Sequence, residues 1–135
     1  MLECLIIGDS IAVGVSQVRK ECVSIAQSGI NSRDWNRQHL NKLQPTKTLI
    51  ISLGANDYSS LKTEDNLREI RKKAQADRIF WLLPSSSLKP TQVDIVKRIA
   101  NEFGDVIINR PESNMSPDGV HPTGQGYKEL ANRTK

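Results

Sequence analysis

The sequence predicts a single α/β domain, a three-layer α/β/α sandwich with one five-stranded parallel sheet. Three observations predict it. Short aliphatic runs alternate with longer stretches of helical period along the whole chain. The runs "TLIISL" and "IFWLL" are apolar without interruption, as strands covered on both faces are, whereas half-exposed strands alternate. No repeat, linker or low-complexity tract divides residues 1–135, a length suited to one domain.

Taken in order, Leu2–Ile7 predicts the first strand and Ser10–Lys20 a helix with Ile11, Val15 and Val18 on one face. Cys22–Ala26 reads as a second strand, and Ser32–Leu43 as a helix offering Trp35, Leu40 and Leu43 for packing. Thr48–Leu53 is a buried strand. After a polar loop around Asn56-Asp57-Tyr58, a helix runs from Thr63, whose hydroxyl is placed to cap it, to Ala76, with Leu67, Ile70 and Ala74 as its inner stripe. Ile79–Leu83 is a strand closed by Pro84. Pro90–Phe103 is a helix with proline in its first turn, where a missing N–H costs little, and with Val96, Ile99, Ala100 and Phe103 inward. Val106–Ile108 is the last strand, 109–122 is irregular, and Thr123–Asn132 is a terminal helix. Parallel neighbours need crossover connections, which the helices supply.

Composition narrows the function classes. No stretch approaches the roughly 20 apolar residues that span a bilayer, and the first residues do not form a secretory signal. A cytoplasmic protein is the default expectation, with membership of a larger particle as the alternative. Net charge is +4, and Arg68, Arg71, Lys72 and Lys73 read as the solvated face of one helix. Aromatic residues make up 4% and are not interleaved with basic ones, which argues against nucleic acid as a partner. Two cysteines and two histidines offer no metal-ligand spacing, so no metal or other cofactor is expected. Cys4 and Cys22 sit in apolar, strand-like contexts and read as buried free thiols.

The chemistry collects where a parallel sheet gathers it, at the carboxyl ends of the strands. Gly8-Asp9-Ser10 follows strand one, Gln27-Ser28-Gly29 strand two, Gly54-Ala55-Asn56-Asp57 strand three, and Asp118-Gly119-Val120-His121 comes after strand five. A serine hydroxyl needs a neighbouring base to act as a nucleophile. An imidazole titrates near neutrality and suits that task. Asp118, three residues before His121, is spaced to orient it. Ser10 also opens a helix, whose free N–H groups favour negative charge beside it. The Ser10 N–H, the Gly29 N–H and the Asn56 amide together would make a three-donor oxyanion hole. By contrast, Asp9 reads as a turn-ordering residue, Asp57 as a loop-shaping carboxylate, and His39 as a partly exposed surface histidine.

The blocks "GDS", a glycine at Gly29, "GAND" and "DGVHPTGQGY", in this order, resemble the SGNH hydrolases, also called the GDSL esterase/lipase family. The resemblance spans nearly the whole chain. It implies a flavodoxin-like fold with sheet order 2-1-3-4-5. It also implies Ser10 as nucleophile, His121 as general base and then acid, Asp118 as its orienter, and an oxyanion hole of Ser10, Gly29 and Asn56. The implied reaction is ester hydrolysis through an acyl-enzyme. Ile11 replaces the leucine of the family's name at a position that only packs. The short chain leaves little for lids, so a shallow cleft is expected, fitted to an acetyl group on a saccharide better than to a long acyl chain. The opening is also similar to members associated with phage and cell envelopes. Two other functions are compatible with these residues: a non-catalytic glycan-binding or structural module of a virion or envelope, and an acyltransferase. A phosphate-binding flavodoxin-like protein would want small or hydroxyl residues where Ile11-Ala12-Val13 stand.

Overall fold

The computed structural model describes residues 1–111 and 113–135; Glu112, inside the expected irregular segment, lies outside the described residues. In chain order the elements are β1 (Leu2–Gly8), α1 (Ser10–Val18), β2 (Val23–Ala26), α2 (Ser32–His39), β3 (Thr46–Ser52), α3 (Thr63–Lys73), β4 (Ala76–Leu82), α4 (Pro90–Phe103), β5 (Val106–Ile108) and α5 (Gly124–Arg133). The five strands form one parallel sheet in the order β2-β1-β3-β4-β5. This is the expected α/β sandwich with the expected order.

The two-residue period of a strand divides the core into two layers. Leu5, Ile7, Leu49, Ile51, Ile79 and Trp81 point to one face, under Trp35 of α2, Leu67 and Ile70 of α3, and Val96 and Ile99 of α4. Ile6, Ile50, Phe80 and Ile108 point to the other, under Ile11 and Val15 of α1 and Leu130 of α5. Trp35 is wholly buried, and its indole N–H donates to the Ile25 carbonyl at 2.9 Å, tying α2 to the short edge strand β2. No helix among the described residues is long and apolar enough to cross a membrane.

Several expectations change. The helix expected over Ser32–Leu43 stops at His39 and continues as a 3₁₀ turn, Leu40–Lys42. The helix expected to reach Ala76 ends at Lys73, because Ala76 pairs with Thr46 and opens β4. Asp77 and Arg78 are exposed, so the first half of that strand carries no apolar signal. The Thr63 hydroxyl does not cap α3; it donates instead to Asp57 at 2.6 Å. Val18 is exposed at the end of α1, and Phe103 lies at the surface beneath the Arg71 guanidinium, 4.4 Å from the ring centroid. Arg71 itself makes two hydrogen bonds to the Asp105 carboxylate, at 2.7 and 3.0 Å, so it is not a solvated charge. Arg68 is likewise held by Glu64 and Glu102.

The cysteines are a further correction: Cys4 and Cys22 form a disulfide. Register explains it. Leu5 pairs with Val23, so the residues just before them stand side by side, with Cα atoms 4.8 Å apart. The bond fastens edge strand β2, four residues long, to β1. Replacing both cysteines by serine should leave the fold assembled and lower its unfolding free energy by about 3 kcal/mol. The measurement is the urea midpoint, and adding reductant to the wild-type protein should reproduce the shift. An unchanged midpoint in both experiments would show that the sulfurs are not joined.

Candidate active site

Each residue of Gly8-Asp9-Ser10 has its own physical reason to be there. Gly8 has φ +135°, and a Cβ on it would run into the Ser52 carbonyl, so only glycine lets β1 close against β3 here. The Asp9 N–H donates to that same carbonyl at 2.9 Å. Its side chain turns inward and caps α1: Oδ1 accepts from the Ile11 N–H at 3.1 Å and from the Ser52 hydroxyl at 2.9 Å. Asp9 therefore orders the turn, as expected, and is 1% exposed. Ser10 follows as the first helical residue, at the positive end of the α1 dipole. No acceptor for its N–H is found among the described residues.

His121 arrives from the far end of the chain. Asp118 folds the loop that carries it: one carboxylate oxygen accepts the backbone N–H groups of Val120 and His121, at 2.9 and 3.0 Å. The other receives His121 Nδ1 at 2.8 Å. Further bonds brace the loop, from Ser116 N–H to the His121 carbonyl at 2.8 Å and from Thr123 N–H to the Asn114 carbonyl at 2.9 Å. Thr123 then caps α5 through the Gly126 N–H. His121 Nε2 meets the Ser10 hydroxyl at 2.9 Å. A carboxylate only accepts, so the Nδ1 proton points at Asp118 and Nε2 is left to accept from serine. The His121 hydrogen bond, reinforced by the two backbone N–H groups, holds the Asp118 carboxyl well below the usual carboxylate range. The three residues thus form one hydrogen-bonded chain, with an ionised carboxylate at its end. The chain faces solvent, since the His121 and Asp118 side chains are 43% and 51% exposed.

The expected donors lie on the loops across the sheet edge. Gly29 is exposed with φ +81°, has open space where a Cβ would stand, and has no acceptor for its N–H among the described residues. Asn56 is half-buried and donates one amide N–H to the Ile30 carbonyl at 3.0 Å, which ties it to the residue after Gly29 and leaves its second N–H. Asp57 is wholly buried and shapes this corner. It accepts from the Ser32 N–H at 2.9 Å and from the Ser32 and Thr63 hydroxyls, each at 2.6 Å. Its carbonyl takes the Lys89 ammonium at 2.9 Å. His39 stays apart, at the surface, with Lys42 Nζ 3.0 Å from its Nδ1.

Sequence reasoning missed Ser52 and Arg110. Ser52 ends an aliphatic strand, and a lone hydroxyl there was the available signal. Arg110 is half-buried, lies close enough to feel the charges of Asp9 and Asp118, and has its pKa lowered from the usual arginine value chiefly by burial. Among the described residues no group of three or more His, Cys, Asp or Glu side chains is gathered that could hold a metal ion.

No protein-family model matches the sequence, and no curated protein matches it either. Among solved structures, the chain is similar to the C-terminal catalytic domain of Streptococcus pneumoniae peptidoglycan O-acetyltransferase A (OatA), solved with a methylsulfonyl adduct. The likeness covers 96% of this chain and 88% of that one, with a TM-score of 0.63 and 19% identity. It is a likeness of fold.

Burial pushes the Asp9 carboxyl up to about 6, against the hydrogen bonds from Ser52, Ile11 and Ala12 and the charge of Arg110. An aspartate raised above its unfolded value of 3.8 favours the folded state when protonated. That contribution is full at lower pH and is lost as pH rises through the folded value. Asp9→Asn cannot ionise, so between about pH 4 and about pH 7 it should gain stability relative to wild type, by up to about 3 kcal/mol. Urea midpoints of both proteins at the two pH values measure this; a difference that does not change with pH would refute it.

Proposed function

We propose that this protein is a serine enzyme acting on acyl esters, with Ser10 as nucleophile, His121 as base and Asp118 as the group that orients it. The observation that carries the reading is the Ser10–His121–Asp118 chain, with links of 2.9 and 2.8 Å. As the Ser10 oxygen attacks the ester carbonyl, its proton passes to His121 Nε2, and the ionised Asp118 stabilises the imidazolium that forms. The carbonyl oxygen becomes an oxyanion, which the Ser10 N–H, the Gly29 N–H and the free Asn56 amide N–H would bind. The imidazolium returns its proton to the departing alkoxide, leaving an acyl group on Ser10. An incoming hydroxyl then repeats the sequence in reverse, and the serine is restored.

Hydrolysis of a small ester, such as an O-acetyl group on a saccharide, is the leading reading. The exposed imidazole supports it, because water reaches the acyl-enzyme freely and a bulky sugar meets no enclosing wall. Transfer to a sugar hydroxyl is the second reading, supported by the likeness of fold to a peptidoglycan O-acetyltransferase domain. The two share every step but the last. The hydrogen-bonded chain also argues against a purely structural or glycan-binding module, and the site offers nothing that points to a phage particle. The Cys4–Cys22 disulfide supports an oxidising compartment over the cytoplasmic default.

A fluorophosphonate probe should label Ser10, and Ser10→Ala should lose both labelling and turnover of p-nitrophenyl acetate. Asp118→Asn should lower turnover about 10³–10⁴-fold and Asn56→Ala about 10²–10³-fold. Undiminished turnover by Ser10→Ala would rule the reading out. Product analysis with an added sugar acceptor separates the two endings: acetate alone means hydrolysis, and a newly acetylated sugar means transfer.

A further inference from the structure

A cavity of about 590 Å³ opens beyond the carboxyl ends of β4 and β5, apart from the Ser10 hydroxyl itself. We propose that it is a subsite for an anionic substituent, a carboxylate or a phosphate, on the acylated saccharide. This rests on the acyl-ester reading and names the substrate class it would take.

Position comes first. Gly119 lines the cavity and stands between Asp118 and His121 in the chain, so the loop that holds the imidazole also forms one cavity wall. In the sheet order, β4 lies two strands from β1, about 10 Å at the usual strand spacing. An ester at Ser10 with its carbonyl oxygen toward Gly29 and Asn56 must set its alcohol oxygen beside His121, which returns the proton to it, and so beside the loop that walls this cavity. A short saccharide spans that distance.

Charge comes second. Lys97 of α4 and Arg110 both line the cavity, together with the hydroxyls of the Ser85–Ser87 loop, and no carboxylate is among its described lining residues. Lys97 is exposed and makes no ion pair among the described residues. Arg110 is the more telling of the two. Its Nε and Nη1 atoms are shut off from solvent and have no acceptor among the described residues. Unfilled donors on a desolvated guanidinium are costly, and an anion held nearby offsets that cost through its charge. Asp9 and Asp118 offset part of the charge without bonding to it. A cation so placed, with the exposed Lys97 ammonium lining the same cavity, supplies positive charge for an anion.

The test is calorimetric binding to Ser10→Ala protein, using xylotriose, trigalacturonic acid and maltotriose 6-phosphate as neutral, carboxylate and phosphate probes. At least one anionic trisaccharide should bind about tenfold tighter than xylotriose, with an advantage that shrinks as salt is raised. Which anion gains identifies the group. Lys97→Gln should cut that advantage about three- to tenfold, whereas Lys72→Gln, the same charge change on α3, should leave it as it is. Equal binding of all three probes would overturn the proposal, as would an advantage that Lys97→Gln does not touch. Arg110→Gln that loses stability while keeping the advantage would assign the guanidinium to Asp9 alone. Because binding is read without turnover, the result stands apart from the acyl-ester reading, which fails separately if Ser10 resists the probe.

Discussion

Asp9 and Ser52 join the ends of two neighbouring strands, and the rest of the site stands on that joint. The Ser52 hydroxyl and the Ile11 N–H share one oxygen of a carboxylate that water does not reach. The joint sets the first turn of α1 against the sheet edge, so the next side chain, Ser10, emerges at the helix N-terminus facing outward. A rotation of α1 would carry Ser10 away from His121, whose own position comes from a separate loop. Strand-end alignment thus governs a contact between residues 111 apart in the chain.

Two aspartates near Ser10 are driven in opposite directions. Asp9 is buried, with one oxygen unpartnered, and desolvation raises its carboxyl. Asp118 lies in solvent, gathers three donors, and is held low. The difference suits their positions. A group that caps a helix under the sheet edge needs geometry more than charge. The group behind an imidazole must remain ionised to stabilise the proton that the imidazole takes. Asp57 makes a third case: it is buried like Asp9 but saturated by Ser32 and Thr63, and it holds the corner from which Asn56 extends.

Much of this was legible in the sequence. Unbroken aliphatic runs announced strands covered on both faces, and their alternation with helical stretches announced a parallel sheet. Polar clusters after the first, second, third and fifth strands announced a common edge, because strand direction sends every carboxyl end the same way. Asp118 and His121 were legible together because a three-residue spacing closes through a local turn.

Other features belong to the tertiary structure alone. The disulfide follows from which residues of β1 and β2 stand opposite, and a single strand read by itself carries no register. The early start of β4 depends on backbone pairing with β3, which ignores the charged side chains of Asp77 and Arg78. The Thr63 hydroxyl left the cap it was expected to fill because Thr63 is already the first helical residue and its hydroxyl donates to the buried Asp57 carboxylate. Arg110 carries no distinguishing signal in the sequence, and only loop packing half-buries it. The sequence by itself determined the elements, their order and the edge where chemistry gathers, since these depend on local periodicity and chain direction. Only the fold decided partners and burial, since both arise between segments far apart in the chain.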